Sequence, residues 1–180
     1  MPNERECDGP PYAAWYTEAS PQPAGFGDLN GDGRADLLSR NRSGRLWFVS
    51  GTGHGTLIGG GWNSMNSLTR HGDLTGDGTE DLLARDTAGK LWLYPGTGHG
   101  TFGARRLIGS GWGQISAFLS VGDVNGDGHL DLVAATQDGY NNPNATATAD
   151  QMRLYAGNGR GSLARYELMN QNWYDLHGGF

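Results

Sequence analysis

The run Gly27-Asp28-Leu29-Asn30-Gly31-Asp32-Gly33-Arg34-Ala35-Asp36-Leu37-Leu38 decides how the rest of the chain reads. It returns as Gly72-Asp73-Leu74-Thr75-Gly76-Asp77-Gly78-Thr79-Glu80-Asp81-Leu82-Leu83, and again as Gly122-Asp123-Val124-Asn125-Gly126-Asp127-Gly128-His129-Leu130-Asp131-Leu132-Val133. The first aspartates stand 45 and 50 residues apart. A period of that length marks a repeat architecture, in which each unit is one supersecondary element that needs its neighbours to bury its apolar face.

Working outward, each loop leads into an apolar pair, then a turn, then a second apolar run: Leu46-Trp47-Phe48-Val49, Leu91-Trp92-Leu93-Tyr94 and Met152-Arg153-Leu154-Tyr155. A glycine turn closes each run: Gly51-Thr52-Gly53-His54-Gly55, Gly96-Thr97-Gly98-His99-Gly100 and Gly157-Asn158-Gly159-Arg160-Gly161. A last segment carries Gly61-Trp62, Gly111-Trp112 or Asn172-Trp173. Each unit therefore reads as four short antiparallel strands, the content of one propeller blade. No segment shows a helical period with caps, so helix-flanked calcium loops of the EF-hand type are excluded. The expected fold is all-β, with about three blades and partial terminal ones: a partial propeller, or one completed by other copies or by a larger parent chain. Residues 1–23 read as an N-terminal segment with a partial strand, and residues 24–180 as the repeat region, divided near 24–67, 68–117 and 118–180.

Composition agrees. Glycine makes up 32 of 180 residues without a Gly-x-y period, as many tight turns between short strands require. The formal charge is −6, and ten of the 19 acidic residues sit in the three loops, so three divalent ions would neutralise the chain. Nothing resembles the basic face that nucleic acid demands, and no apolar run is long enough to span a membrane. No signal segment is visible. Cys7 is the only cysteine, which excludes an internal disulfide and a cysteine-type zinc site.

Calcium takes six to eight oxygen ligands. Asp28, Asn30, Asp32, Asp36 and the Arg34 carbonyl offer such a set in the first loop. Asp73, Thr75, Asp77, Asp81 and the Thr79 carbonyl do so in the second, with Thr75 the weaker donor. Asp123, Asn125, Asp127, Asp131 and the His129 carbonyl do so in the third. The expectation is three Ca²⁺ sites. The third unit differs by a polar insertion at 137–150, which reads as a long loop between its second and third strands and a candidate surface for a protein partner. Asn41-Arg42-Ser43 and Asn144-Ala145-Thr146 match the N-glycosylation acceptor pattern.

On the Gly-Asp-x-Asn-Gly-Asp-Gly-x-x-Asp-Leu runs and on Phe26-Gly27, the chain resembles the FG-GAP or VCBS repeat family, whose best-known members are the propellers of integrin alpha subunits. The resemblance covers about residues 24–180 and implies that the ions brace the blades rather than catalyse. Thr75, the insertion and the absence of the Gly-Ala-Pro part depart from the family pattern. Ile58-Gly59-Gly60-Gly61-Trp62 and Ile108-Gly109-Ser110-Gly111-Trp112 also resemble the glycine-tryptophan segments of tachylectin-like propellers, which bind N-acetylated sugars. That likeness implies a glycan or glycoprotein ligand at Trp62, Asn63, Trp112, Gln114, Trp173 and Tyr174, because sugar CH faces stack on flat rings while amides bond hydroxyls. The opposing reading places the same tryptophans in the core, and Trp47 and Trp92 between blades. No nucleophile elbow, zincin motif or phosphate loop occurs, so no catalysis is expected. A targeting module of a secreted hydrolase and an adhesion propeller are the alternatives. Loops of this kind suit millimolar extracellular calcium, so a secreted protein is expected.

Overall fold

A computed structural model describes residues 22–137 and 151–169. Twelve strands form three antiparallel sheets of four. The first holds β1 (Gln22–Phe26), β2 (Asp36–Arg40), β3 (Leu46–Val49) and β4 (Gly55–Gly59). The second holds β5 (Met65–Gly72), β6 (Asp81–Asp86), β7 (Leu91–Tyr94) and β8 (Arg106–Gly109). The third holds β9 (Ile115–Gly122), β10 (Asp131–Thr136), β11 (Met152–Tyr155) and β12 (Glu167–Met169). Within each sheet the strands lie in sequence order, so every connection is a simple hairpin. Each acidic loop joins the first strand of its sheet to the second. The expected all-β blade architecture is what the chain adopts.

The Gly-Trp segments lie between strands. The fourth strands end at Gly59 and Gly109, and short 3-10 turns at Trp62–Ser64 and Trp112–Gln114 carry the chain into the next sheet. Gly61 (φ 84°) and Gly111 (φ 87°) make the bend in the left-handed region that a side chain would disfavour. The next inner strands therefore begin at Met65 and Ile115, slightly ahead of the repeat boundaries read from sequence.

The core is not within sheets but between them. Phe26, Leu29, Leu38, Leu46, Phe48 and Trp62 of the first blade pack with Met65, Leu82 and Ala84 of the second. Leu74, Leu83, Leu91, Leu93 and Trp112 of the second pack with Ile115, Leu132, Ala134 and Tyr155 of the third. Alternation along β6 serves both cores, with Leu82 and Ala84 in the first and Leu83 in the second, because successive residues point to opposite faces of the sheet. Each fully buried leucine contributes roughly 1.5–3 kcal/mol relative to exposure, and this term holds blade to blade.

Two arginines lock the links. Arg40 Nη1 donates to the carbonyls of Trp62 (3.0 Å) and Met65, and Arg85 Nη1 to those of Trp112 (3.1 Å) and Ile115. At the neck of the third-blade insertion, Thr136 N donates to the Gln151 carbonyl (2.9 Å) and Gln151 N to Thr136 Oγ1 (2.8 Å). The insertion beyond Gln137 lies outside the described residues.

Candidate functional site

The three acidic loops share one hydrogen-bond plan. In the first, Asp28 Oδ1 accepts from the amides of Gly31 (2.7 Å) and Asp32 (3.0 Å), and Oδ2 from Gly33 (2.7 Å). Asp73 and Asp123 do the same with Gly76, Asp77 and Gly78, and with Gly126, Asp127 and Gly128. The fifth position turns inward on the loop as well: Asp32, Asp77 and Asp127 accept the amides of Arg34, Thr79 and His129. Asn30 Nδ2 and Asn125 Nδ2 donate to Asp32 and Asp127. In the second loop Thr75 Oγ1 instead donates to Asp73, at 3.3 Å. Glycines at φ between 74° and 88° allow each wrap.

The ninth position does something different. Asp36, Asp81 and Asp131 are buried. Asp36 accepts from Leu29 N and Gly51 N, Asp81 from Leu74, Thr75 and Gly96, and Asp131 from Val124, Asn125 and Gly157. Each thus ties its loop to the glycine turn of the same blade. A carboxylate has about four acceptor sites, so these residues retain one or two for another partner.

Electrostatics follow from these bonds. The amide of Gly33 first, then those of Gly31, Asp32 and Asn30, holds Asp28 below the ordinary carboxylate range, and burial only partly opposes them. The Thr79 hydroxyl does most to lower Asp77, and the Asn125 side chain does most to lower Asp127. Burial pushes Asp81 up despite its amide bonds.

The oxygen donors suit a hard cation in kind. All three carboxylates of each loop accept backbone amides; the first and fifth remain at least partly exposed, while the ninth is buried. Among the described residues no three His, Cys, Asp or Glu side chains gather as a metal cluster. A cleft of about 280 Å³ lies between the first two loops, lined by Asp28, Gly31, Asp73, Gly78, Thr79, Glu80 and Gly98. Arg70 bonds Glu80 at its edge, at 2.6 and 2.8 Å.

The tryptophan segments are packed. Trp62 and Trp112 are 7% and 8% exposed. Their rings lie 4.8 Å from Tyr94 and 4.6 Å from Tyr155, each in the following blade, at 37°. A ring face offered to a sugar by the sequence is thus occupied by a tyrosine, a partner that sequence spacing did not suggest. Beside them, Asn63 is exposed and donates to the Arg42 carbonyl (3.0 Å), and Gln114 is half-buried. Trp173 and Tyr174 lie outside the described residues. Trp47 is buried, and Trp92 is half-buried under Arg105, 4.1 Å from its ring. Asn41 is 3% exposed, so in the folded chain its acceptor pattern is closed to a glycan.

Four-stranded antiparallel sheets packed face to face through apolar cores, each opened by an acidic hairpin loop, define β-propeller blades. A family model described as an FG-GAP-like repeat matches residues 28–84 and again 73–134. The chain belongs to the FG-GAP-like repeat family. Among solved structures it is similar to a lectin of Agrocybe aegerita, described for specific recognition of non-reducing terminal N-acetylglucosamine. The likeness has a TM-score of 0.59 at 21% identity and covers 84% of this chain and 38% of that one. The chain therefore spans well under half of that neighbour, which at this identity attests the fold. No curated protein sequence matches it. Among the described residues no helix is long and apolar enough to cross a membrane.

Proposed function

We propose that the chain is a non-catalytic, calcium-braced binding module of a secreted protein, with carbohydrate as its ligand. The observation that carries the calcium part is the threefold recurrence of one oxygen-rich loop at one place in each blade. Asp28, Asn30, Asp32 and the Arg34 carbonyl would hold the ion in the first loop, with Asp36 supplying its remaining acceptor sites. The second and third loops use the corresponding residues. Bound calcium supplies positive charge where carboxylates crowd a hairpin. The ninth aspartate then carries the loop's rigidity to the glycine turn of the same blade. An ion that binds only the folded chain stabilises it by mass action. Elemental analysis should find three calcium ions per chain, and a chelator should lower the melting temperature. An unchanged melting temperature together with no bound calcium would sink this part.

The glycan part is supported by family membership and by a fold shared with a protein described as recognising terminal N-acetylglucosamine. With Trp62 and Trp112 stacked on tyrosines, a sugar would meet the exposed Asn63, the Gln114 amide and the open glycine backbone around them, rather than a bare ring. Repetition would offer one modest site per blade, with avidity from several. A glycan array probed with calcium and with chelator is the test. Calcium-dependent binding to N-acetylated sugars is expected, and silence toward every sugar at high protein density would end the lectin reading.

A further inference from the structure

In the second blade Trp92 of β7 gives its Nε1 proton to Asp86 Oδ2 at 2.9 Å, and the Arg105 guanidinium lies over the ring, 4.1 Å from its centre. The third blade turns this arrangement inside out. Strand pairing sets Arg153 opposite Ala134 as it sets Trp92 opposite Ala84, so Arg153 holds the tryptophan's place. Thr136 holds the place of Asp86, for the two amides close matching hairpins, onto the carbonyls of Gln151 and Lys90. Tyr166 now supplies the ring, 4.3 Å from the guanidinium. The cation has moved inward, and the carboxylate beside its position has gone.

Arg153 is 3% exposed. A guanidinium that deep is ordinarily paired with an acid, because desolvating an unpaired charge is costly. Here Nε and Nη2 both donate to Gln151 Oε1, at 3.1 and 2.9 Å, and that acceptor is neutral. Among the described residues no carboxylate forms an ion pair with Arg153. Stacking on Tyr166 offsets part of the cost but brings no negative charge. Among the described residues, the sealed side-chain nitrogens without a hydrogen bond belong to Asn41, Trp47 and His71. The Nη1 edge of Arg153, which Gln151 leaves free, is not one of them, so solvent reaches it.

We infer that the junction of the second and third blades binds a saccharide bearing a carboxylate, a uronic acid residue, with Arg153 as its anchor. A carboxylate is planar and takes two parallel N–H bonds from one edge of a guanidinium, and Nη1 with the remaining Nη2 proton forms such an edge. Register sets Leu168 beside Arg153 on the same face, and Leu168 is exposed, so the outer strand leaves the approach open. Leu168 and the half-buried Tyr166 offer an apolar surface to the CH face of the sugar. Gln114 stands at the same junction: its carbonyl accepts from Gln137 N at 2.8 Å, next to the neck that Gln151 closes. At the first junction Asp86 would repel the same ligand. The inference rests on the carbohydrate reading above and narrows it to an acidic glycan at one junction.

The test is calorimetric titration of the chain in excess calcium at fixed ionic strength. The probes are a disaccharide ending in glucuronate, its methyl ester, an N-acetylglucosamine oligomer and sodium sulfate. The glucuronate should bind, and its ester about tenfold or more weakly, as the loss of a charged hydrogen bond implies. Arg153→Trp, which copies the other two blades, should lose the glucuronate and keep the N-acetylglucosamine oligomer. It should melt no lower than the wild type, since an apolar side chain in place of an unpaired buried charge is neutral or stabilising. Arg153→Met repeats the measurement with a slimmer side chain. Equal binding of glucuronate and ester, binding that survives both substitutions, or sulfate competing as well as glucuronate would overturn the proposal. So would a lower melting temperature in both variants, because the folded chain would then already pair Arg153. Neutral sugar bound without glucuronate would sink this inference and spare the lectin reading, whereas silence toward both would sink the two together.

Discussion

Asn41 Nδ2 and Trp47 Nε1 are buried donors without an acceptor. The matching pair in the second blade is satisfied, for Trp92 Nε1 donates to Asp86 Oδ2 at 2.9 Å. Asn41 keeps the other half of that pattern, accepting from Arg45 N and Ser43 Oγ through Oδ1. Asn41→Asp places an acceptor where a second donor now stands. It should stabilise the protein by about 1 kcal/mol, the usual net worth of a hydrogen bond, read as a higher urea midpoint. A lower midpoint would mean that burying the charge outweighs the new bond. The residues of the acidic loops were legible in the sequence because spacing alone groups them. The orphan donors were not, since Asn41 and Trp47 become a problem only once β2 and β3 pair. Arg40 and Arg85 also recur at one offset after the loops. That they pin the 3-10 turns required knowing where those turns fall.

At the scale of the element, the glycine turns do more than close hairpins. Gly76 sits at φ 74°, and a Cβ there would overlap the carbonyl oxygen of Gly159 in the next blade. Gly76→Ala combines left-handed strain with a backbone clash across the junction, so a loss of about 2–3 kcal/mol is expected. Gly78→Ala has the same strain (φ 86°) and open space around it. It should cost less, about 1 kcal/mol. Equal midpoints for the two variants in chemical unfolding would remove the docking role of the turn. Strands were legible through their apolar runs. The conformation of the Gly-Trp segments was not legible because glycine-rich stretches carry no period, and only the positive φ of Gly61 and Gly111 shows the turn.

Across the whole molecule, His71 stands at a junction, wholly buried, with neither ring nitrogen bonded. The other two blades place Phe26 and Val121 at this position. Burial lowers its pKa to about 4 from 6.5, with Asp131, Glu80 and Asp73 pulling weakly the other way. The folded value lies below the unfolded one, so above pH 6.5 both states are neutral and nothing changes. As pH falls from 6.5 toward 4 the unfolded chain gains a proton that the native chain refuses. Stability then drops by up to about 1.4 kcal/mol per pH unit, roughly 3 kcal/mol in all. His71→Phe, which copies the first blade, should flatten this slope in chelator-containing buffer, measured by urea unfolding at a series of pH values. An identical slope in the variant would move the acid sensitivity elsewhere. The blade count was legible from the repeat. That the cores lie between sheets, so that each blade completes its neighbour, was not, because one strand pattern serves either arrangement.

The crossed bonds between Thr136 and Gln151 also separate two lengths. They hold β10 and β11 at a fixed spacing whatever the chain does from 138 to 150. Loop closure free energy grows only slowly with length, about 0.6 kcal/mol per doubling, and here the ends are already gathered. The insertion is therefore a port rather than a part. Natural variation, or an engineer, can exchange its contents for an epitope, a tag or a whole guest domain, while the blade beneath keeps its register.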